Sequence, residues 1–202
     1  MPRTFPILCF LIKSLCHDNQ EGIYFIDSTS LAVCNPKRIS RNKVFTGLAE
    51  LGKSSKGWFF GFKLHLIIDA KGHPVDLCIT KGNCSDINVV EDLTVSMTGK
   101  LYGDKGYISA DLFKKLFERS LHLVTGIKKN MKKNLMSWTD KLCLRKRSII
   151  ETVFDYLKNK FELEHSRHRS VSNAFVHILS VLIAYTLKPT KPSIKFDFIL
   201  PT

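Results

Sequence analysis

Apolar and polar positions repeat along this chain with two periods, and the switches between them mark the elements. Phe5–Cys16 is almost continuously apolar, broken at Lys13 and Ser14, and predicts a short packed helix. Residues 23–34 open on Ile23-Tyr24-Phe25-Ile26 and predict a strand. Residues 35–56 are basic and polar and predict a loop or an exposed extension. Gly57–Gly82 holds two strand-like runs around Asp69-Ala70-Lys71-Gly72, a turn signal, and predicts a β-hairpin. Residues 84–93 carry Ile87, Val90 and Leu93 behind a candidate cap, Ser85 or Asp86, and predict a helix. A short strand opens residues 100–109. Leu112, Phe113, Leu116 and Phe117 then line one face of an amphipathic helix over 109–120. A strand over 121–127, a basic connector over 128–134, a helix over 145–162 and an apolar helix over 171–187 follow. The tail from Lys188 carries three prolines and is expected to fray.

Three strands followed by alternating helices and strands make an α/β fold with a mixed sheet covered by helices. That order matches the ribonuclease-H-like fold, a mixed five-stranded sheet flanked by helices. At 202 residues and 44% hydrophobic content the chain has a real core and is not disordered. The two most apolar stretches, 5–12 and 176–187, fall short of the ~20 residues a membrane-spanning helix needs. Six scattered cysteines without a C-x-x-C pair point to reduced thiols in a cytosolic compartment and away from zinc. Thirty-one Lys and Arg against eighteen Asp and Glu give +13, the footprint of a polyanionic partner such as nucleic acid, or simply of a soluble basic protein.

Three carboxylates stand out. Asp27 ends a run of β-formers, where a lone buried charge costs several kcal/mol unless something positive meets it. Asp104 sits in "LYGDKGY" between two glycines that permit close backbone approach; its ordinary role is a turn Asp with a local hydrogen bond. Glu151 shares a helix face with Arg147 and Lys158, in the spacing Arg-x3-Glu-x6-Lys. That face is either a solvated ion-paired surface or a carboxylate at the rim of the core flanked by phosphate-seeking cations.

With these motifs the sequence resembles the DDE transposases of bacterial insertion sequences. "YFIDSTSL", "YGDKGY" and Arg147-x3-Glu151-x6-Lys158 stand where those enzymes carry their first Asp, second Asp and catalytic Glu signature. "GLAELGKSSKGWFFGFKLHLI" and "HSRHRS" resemble the insertion-sequence nine-eighty-two group in particular. The resemblance spans roughly Gly22 to Leu187; Leu144 stands where the wider signature has Tyr. It implies a catalytic domain over 21–188, between a short helical remnant (1–20) and a tail (189–202). It further implies that Asp27 and Asp104 end neighbouring strands and, with Glu151, hold Mg²⁺ or Mn²⁺ for DNA strand cleavage and strand transfer. The implied setting is a bacterial cytoplasm, nucleoid-associated when bound, with double-stranded DNA as partner and a homodimer in the synaptic complex. Only 22 residues precede Ile23, where relatives carry a helical DNA-binding region, so a chain truncated at its N-terminus is expected.

The remaining polar residues have ordinary and functional readings side by side. Lys105, Arg147, Lys158, Arg167 and Arg169 are candidate DNA contacts, the last two within a basic cluster with His165 and His168. Arg38, Arg41, Lys43, Lys128, Lys129, Lys132 and Lys133 suit the DNA backbone rather than bases. Asp86 is expected to cap a helix, Asn83 to support the site from a distance, and His65 to be a satisfied sheet histidine. Asp69 and Asp76 are expected to be hairpin residues without a part in the chemistry. Two other functions compete: a catalytically inactive DNA-binding remnant, which binds without metal-dependent cleavage, and a structure-selective nuclease of the same fold, which cleaves without strand transfer.

Overall fold

The computed structural model describes residues 4–16, 21–127, 136–164 and 168–194. Its strands are β1 (Ile23–Cys34), β2 (Glu50–Ser54), β3 (Gly57–Asp69), β4 (Pro74–Lys81), β5 (Gly99–Gly103) and β6 (Leu121–Thr125). Its helices are α1 (Thr4–Leu15), α2 (Val90–Leu93), α3 (Ala110–Glu118), α4 (Trp138–Lys146), α5 (Ser148–Asn159) and α6 (Val171–Leu187). β3 lies antiparallel to β1, and β5 and β6 continue the sheet parallel to β1. β2 and β4 share the far edge of β3, β2 along Gly57–Gly61 and β4 along Phe62–Ile68. The sheet therefore has six strands in five positions, which is the ribonuclease-H-like arrangement.

Alternation along β3 builds two cores. Phe60, Phe62, Leu64, Leu66 and Ile68 join Phe25, Leu31 and the inner faces of α5 and α6 on one side. Ile67 joins Tyr24, Ile26, Leu101, Leu112 and Leu116 under α2 and α3 on the other. α5 fits its place because Ile149, Ile150, Val153, Phe154 and Leu157 fall on one stripe and are all buried.

Several expectations need correction. The 35–56 segment is not simply a loop: it holds a 3₁₀ helix at Pro36–Arg41 and then β2. β2 carries little pattern of its own. It is held by pairing with β3 from Glu50↔Gly61 to Ser54↔Gly57, where Gly57 has φ +118°. The helix expected over 84–93 is reduced to a 3₁₀ turn, Asp86–Val89, and the one-turn α2. The helix expected over 145–162 spans Ser148–Asn159 and is preceded by α4, with Arg147 at the junction. The tail does not fray over 188–194: the Ile194 amide donates to the Ala70 carbonyl at 2.8 Å, and Pro192 packs against Gly72. Asp69 is buried and braces the β3–β4 turn, accepting from the Lys71 and His73 amides at 2.8 Å each. The connector 128–134 lies outside the described residues, as do His165 and Arg167. Among the described residues no helix is long and apolar enough to cross a membrane.

Candidate active site

Asp27 does not end its strand. It lies within β1, paired with Leu66 of β3, just past the last β1–β5 pair, Phe25↔Tyr102. β5 leaves β1 at this point, and its next residue after Gly103 is Asp104. The two aspartates thus stand where the sheet changes from antiparallel to parallel pairing, the kind of switch point that opens a crevice in α/β sheets. The strand is long because β3 supports it along its whole length, so the charge comes mid-strand rather than at an end.

The sequence "YGDKGY" builds the second position. A side chain at Gly103 would meet the Tyr107 ring at 3.0 Å and Ile26 at 3.3 Å, so glycine there admits the buried tyrosine. Asp104 Oδ1 accepts from the Gly106 amide at 2.7 Å and caps the 3₁₀ turn Lys105–Tyr107. Its ordinary role as a turn residue is therefore real, but it uses one oxygen. Asp104 is exposed, and Oδ2 makes no hydrogen bond among the described residues. The Tyr107 hydroxyl is buried without a hydrogen-bond partner among the described residues and feels the charges of Asp27, Asp86 and Asp104.

Glu151 comes from α5, and Arg147 ties it to β1. Arg147 sits at the α4–α5 junction with helical φ −53° and ψ −26°, so the two helices nearly continue one another through it. Its Nη1 donates to Asp27 Oδ2 at 3.2 Å and its Nη2 to Glu151 Oε1 at 3.1 Å. One guanidinium thus spans the two carboxylates. The other Asp27 oxygen accepts from the Ser28 amide at 2.8 Å. Burial nevertheless pushes the Asp27 carboxyl up to about 6; the Ser28 amide and Arg147 oppose the shift, and the charges of Asp104 and Glu151 add to it. Asp27 is therefore within electrostatic reach of both Asp104 and Glu151, and its own carboxyl carries the cost of burial.

All three are oxygen donors of the kind hard divalent cations take. Their chemistry fits such an ion, and the raised Asp27 is what a cation would correct. The packing is not yet a ligand cage. Among the described residues no three His, Cys, Asp or Glu side chains are gathered to hold a metal, and Arg147 supplies the positive charge instead.

The other candidate cations divide. Lys105 is exposed, its stem lying over Gly126, and Arg169 is exposed. Lys158 is turned to the sheet edge: Nζ donates to the Ser30 carbonyl at 2.6 Å and to Glu164 at 2.9 Å. Glu164 in turn accepts from the Ala32 amide at 2.9 Å. Together they satisfy the part of β1 that β5 leaves unpaired.

Sequence reasoning missed a second polar cluster on the opposite face of β1. Asp86 does not cap a helix; neither it nor Ser85 makes a capping hydrogen bond to the 3₁₀ turn. Its Oδ1 instead accepts from Ser28 Oγ at 2.8 Å and Lys63 Nζ at 3.1 Å. Lys63 also donates to the Cys84 carbonyl at 2.8 Å. His65 is buried and bonds Thr80 through Nε2 at 2.8 Å, but its Nδ1 has no hydrogen bond among the described residues, with Asp86 Oδ1 3.7 Å away. The alternation Lys63-x-His65, paired across to Ser30 and Ser28, was the available signal.

Comparison with known proteins now settles the family. A family model described as a transposase DDE domain matches residues 17–171. The chain belongs to the transposase DDE-domain family. A search of curated proteins finds no match. Among solved structures, the fold is similar to a piggyBac transposase in a synaptic complex with hairpin DNA, determined by cryo-EM. The TM-score is 0.57 at 10% identity, covering 96% of this chain and 54% of that one. This chain thus spans about half the length of that transposase, and what the likeness carries is the fold. The DDE family generally works with divalent metal ions.

Proposed function

We propose that the chain is the catalytic domain of an insertion-sequence transposase that cleaves and joins DNA strands, with Asp27, Asp104 and Glu151 as its acidic triad. The observation that carries this reading is the under-compensated carboxylate group at the β1/β5 switch point. Asp27 is held up to about 6 by burial and by its two acidic neighbours, with one arginine between it and Glu151. Arg147 pairs with Asp27 and Glu151, and Asp104 adds its charge to Asp27 from the end of β5. The solved neighbour is a transposase in a synaptic complex with DNA, which supports DNA as the partner here.

In this reading a bound Mg²⁺ or Mn²⁺ would supply Lewis acidity toward the scissile phosphate and would lower the pKa of the attacking hydroxyl. Asp27 and Asp104 would hold the cation from the sheet, and Glu151 would hold it from α5. Asp104 is restrained by the Gly106 amide through Oδ1 and offers Oδ2. Arg147 holds Asp27 and Glu151 together and, if a cation took its place, would be free to meet phosphate. Lys105 and Arg169 contribute to backbone contact, with affinity that falls steeply with salt and little dependence on sequence. The resemblance to the nine-eighty-two group and a synaptic homodimer belong to the same proposal.

The test is nicking of supercoiled plasmid by the purified chain. Cleavage is expected with Mg²⁺ or Mn²⁺, with 3′-hydroxyl ends, and is expected to vanish in Asp27→Asn, Asp104→Asn and Glu151→Gln while DNA binding persists. Binding without cleavage under either metal would replace this reading with that of an inactive DNA-binding remnant. Cleavage that never yields joined strands would replace it with that of a nuclease.

A further inference from the structure

Next to the Asp104 turn, a groove of about 390 Å³ runs along the β2 edge, lined by Lys53, Trp58, Lys63, Asn83, Asp86 and Gly106, among others. Its volume lies within the ~300–1,000 Å³ of ordinary ligand sites. Gly106 belongs to the turn whose amide holds Asp104, so the groove opens beside the proposed chemistry. We propose that this groove receives an unpaired nucleotide of the DNA strand being processed, its base stacked on Trp58. The proposal rests on the DNA-processing reading above and adds the form of the substrate.

Four observations converge. Trp58 is 60% exposed, an unusual position for the largest apolar side chain on a strand whose other aromatic residues are buried. Lys53 Nζ lies over its ring at 5.7 Å, so a cation already stands beside the stacking surface. Lys63 is spent on Asp86 and the Cys84 carbonyl, which leaves exposed Lys53 as the groove's phosphate contact. The wall behind is backbone. A side chain at Gly52 would fall 2.1 Å from the Gly82 carbonyl oxygen, and one at Gly82 would fall 2.6 Å from that of Glu50. Glycine at both positions lets β2 and the residues after β4 approach at backbone distance, so this wall carries no side chain there. Asn83 and the Asp86 carboxylate supply polar groups for a base edge.

The choice of an unpaired nucleotide follows from the chemistry of the surface. Inside a duplex the base faces are stacked on one another and cannot meet an indole. A single-stranded base offers its π-face, and an aromatic platform with a neighbouring cation accepts any of the four. Duplex contacts need only surface charge, and a net charge of +13 provides that without a tryptophan.

The chain has two tryptophans, so Trp138→Phe leaves Trp58 as the sole indole fluorophore, and Trp138 is 65% exposed. The probes are a blunt duplex and the same duplex with a short thymidine overhang, titrated in EDTA so that nothing is cleaved. Quenching of Trp58 by the overhang duplex alone is expected. Trp58→Ala should lose about tenfold in affinity for the overhang duplex and keep its affinity for the blunt one, with Trp58→Phe in between. Equal binding of both probes by the parent chain would overturn the proposal, as would an unchanged overhang preference in Trp58→Ala. Plasmid nicking separates the two claims: nicking without overhang preference removes the groove's role alone, and overhang preference without nicking removes the catalytic reading alone.

Discussion

The two faces of β1 hold polar clusters of opposite character, one residue apart in sequence. On the α2 face Ser28, Lys63 and Asp86 close on one another, with one cation for one anion. On the α5 side Asp27 and Glu151 share Arg147, and burial, with the charges of Asp104 and Glu151 adding to it, pushes Asp27 upward. A balanced cluster stabilises the fold by itself. An unbalanced one costs stability until a partner arrives, the mark of a site kept for function. The contrast separates Asp86, whose charge is met within the fold, from Asp27, the residue proposed for the chemistry, although both are aspartates near the same strand.

The largest expected effect is on the balanced side. Asp86→Ala leaves Lys63 and Ser28 without their carboxylate and should cost about 2–3 kcal/mol in urea denaturation, below the figure for a fully buried pair because Asp86 is partly exposed. An unchanged midpoint would erase the distinction between the faces.

The same measurement should move the other way for Asp27→Asn, with a gain of about 1–2 kcal/mol at pH 7. The sign follows from the raised carboxyl. A folded value of about 6 against the usual 3.8 means that ionisation penalises the fold, so the parent loses stability as pH rises from about 4 to 6. His65 works in the opposite direction. Burial lowers it from 6.5 to about 4, so protonation of the unfolded chain drains stability as pH falls through that window. The two contributions partly cancel in the parent. Asp27→Asn removes one and should make the decline between pH 6.5 and 4 steeper. A parallel pair of pH profiles would contradict the raised Asp27.

Arg147→Met should cost about 1 kcal/mol without metal, because Asp27 loses its one cation, and most of that loss should return on adding Mg²⁺. Loss that metal cannot restore would make Arg147 a packing residue. The smallest effect is expected at Lys105 and Arg169. Changing either to Gln should shift stability by less than ~0.5 kcal/mol while reducing the salt slope of DNA binding by about one unit.

Much of this was legible because certain segments carry their own pattern. β1, the β3–β4 hairpin, α3, β6 and α6 each show a period or a turn signal that needs no neighbour to interpret. β2 was illegible because its stabilisation lies in the backbone of β3 and in Gly52 approaching Gly82. α4 was missed although Ser137 and Asp140 announce it. Ser137 Oγ accepts from the Asp140 amide at 3.1 Å, and the Asp140 carboxylate docks the helix on Lys100 and Tyr102. The proposed triad rests on three spaced motifs in the sequence, but Arg147 spanning Asp27 and Glu151 could not be read there, since nothing in sequence brings residues 120 apart to one guanidinium. Asp86 was misread for a related reason. Ser-Asp ahead of an apolar run is a common cap signature, and only the fold brings Ser28 and Lys63 to it instead.

Titration of the metal-free chain with Mn²⁺, followed by its electron paramagnetic resonance signal, tests the central claim most directly. The account predicts saturable binding that is lost in Asp104→Asn and Glu151→Gln, unchanged in Asp86→Asn, and tighter in Arg147→Met because the competing guanidinium is gone. Binding that survives in Asp104→Asn and disappears in Asp86→Asn would put the cation on the other face of β1 and contradict the account.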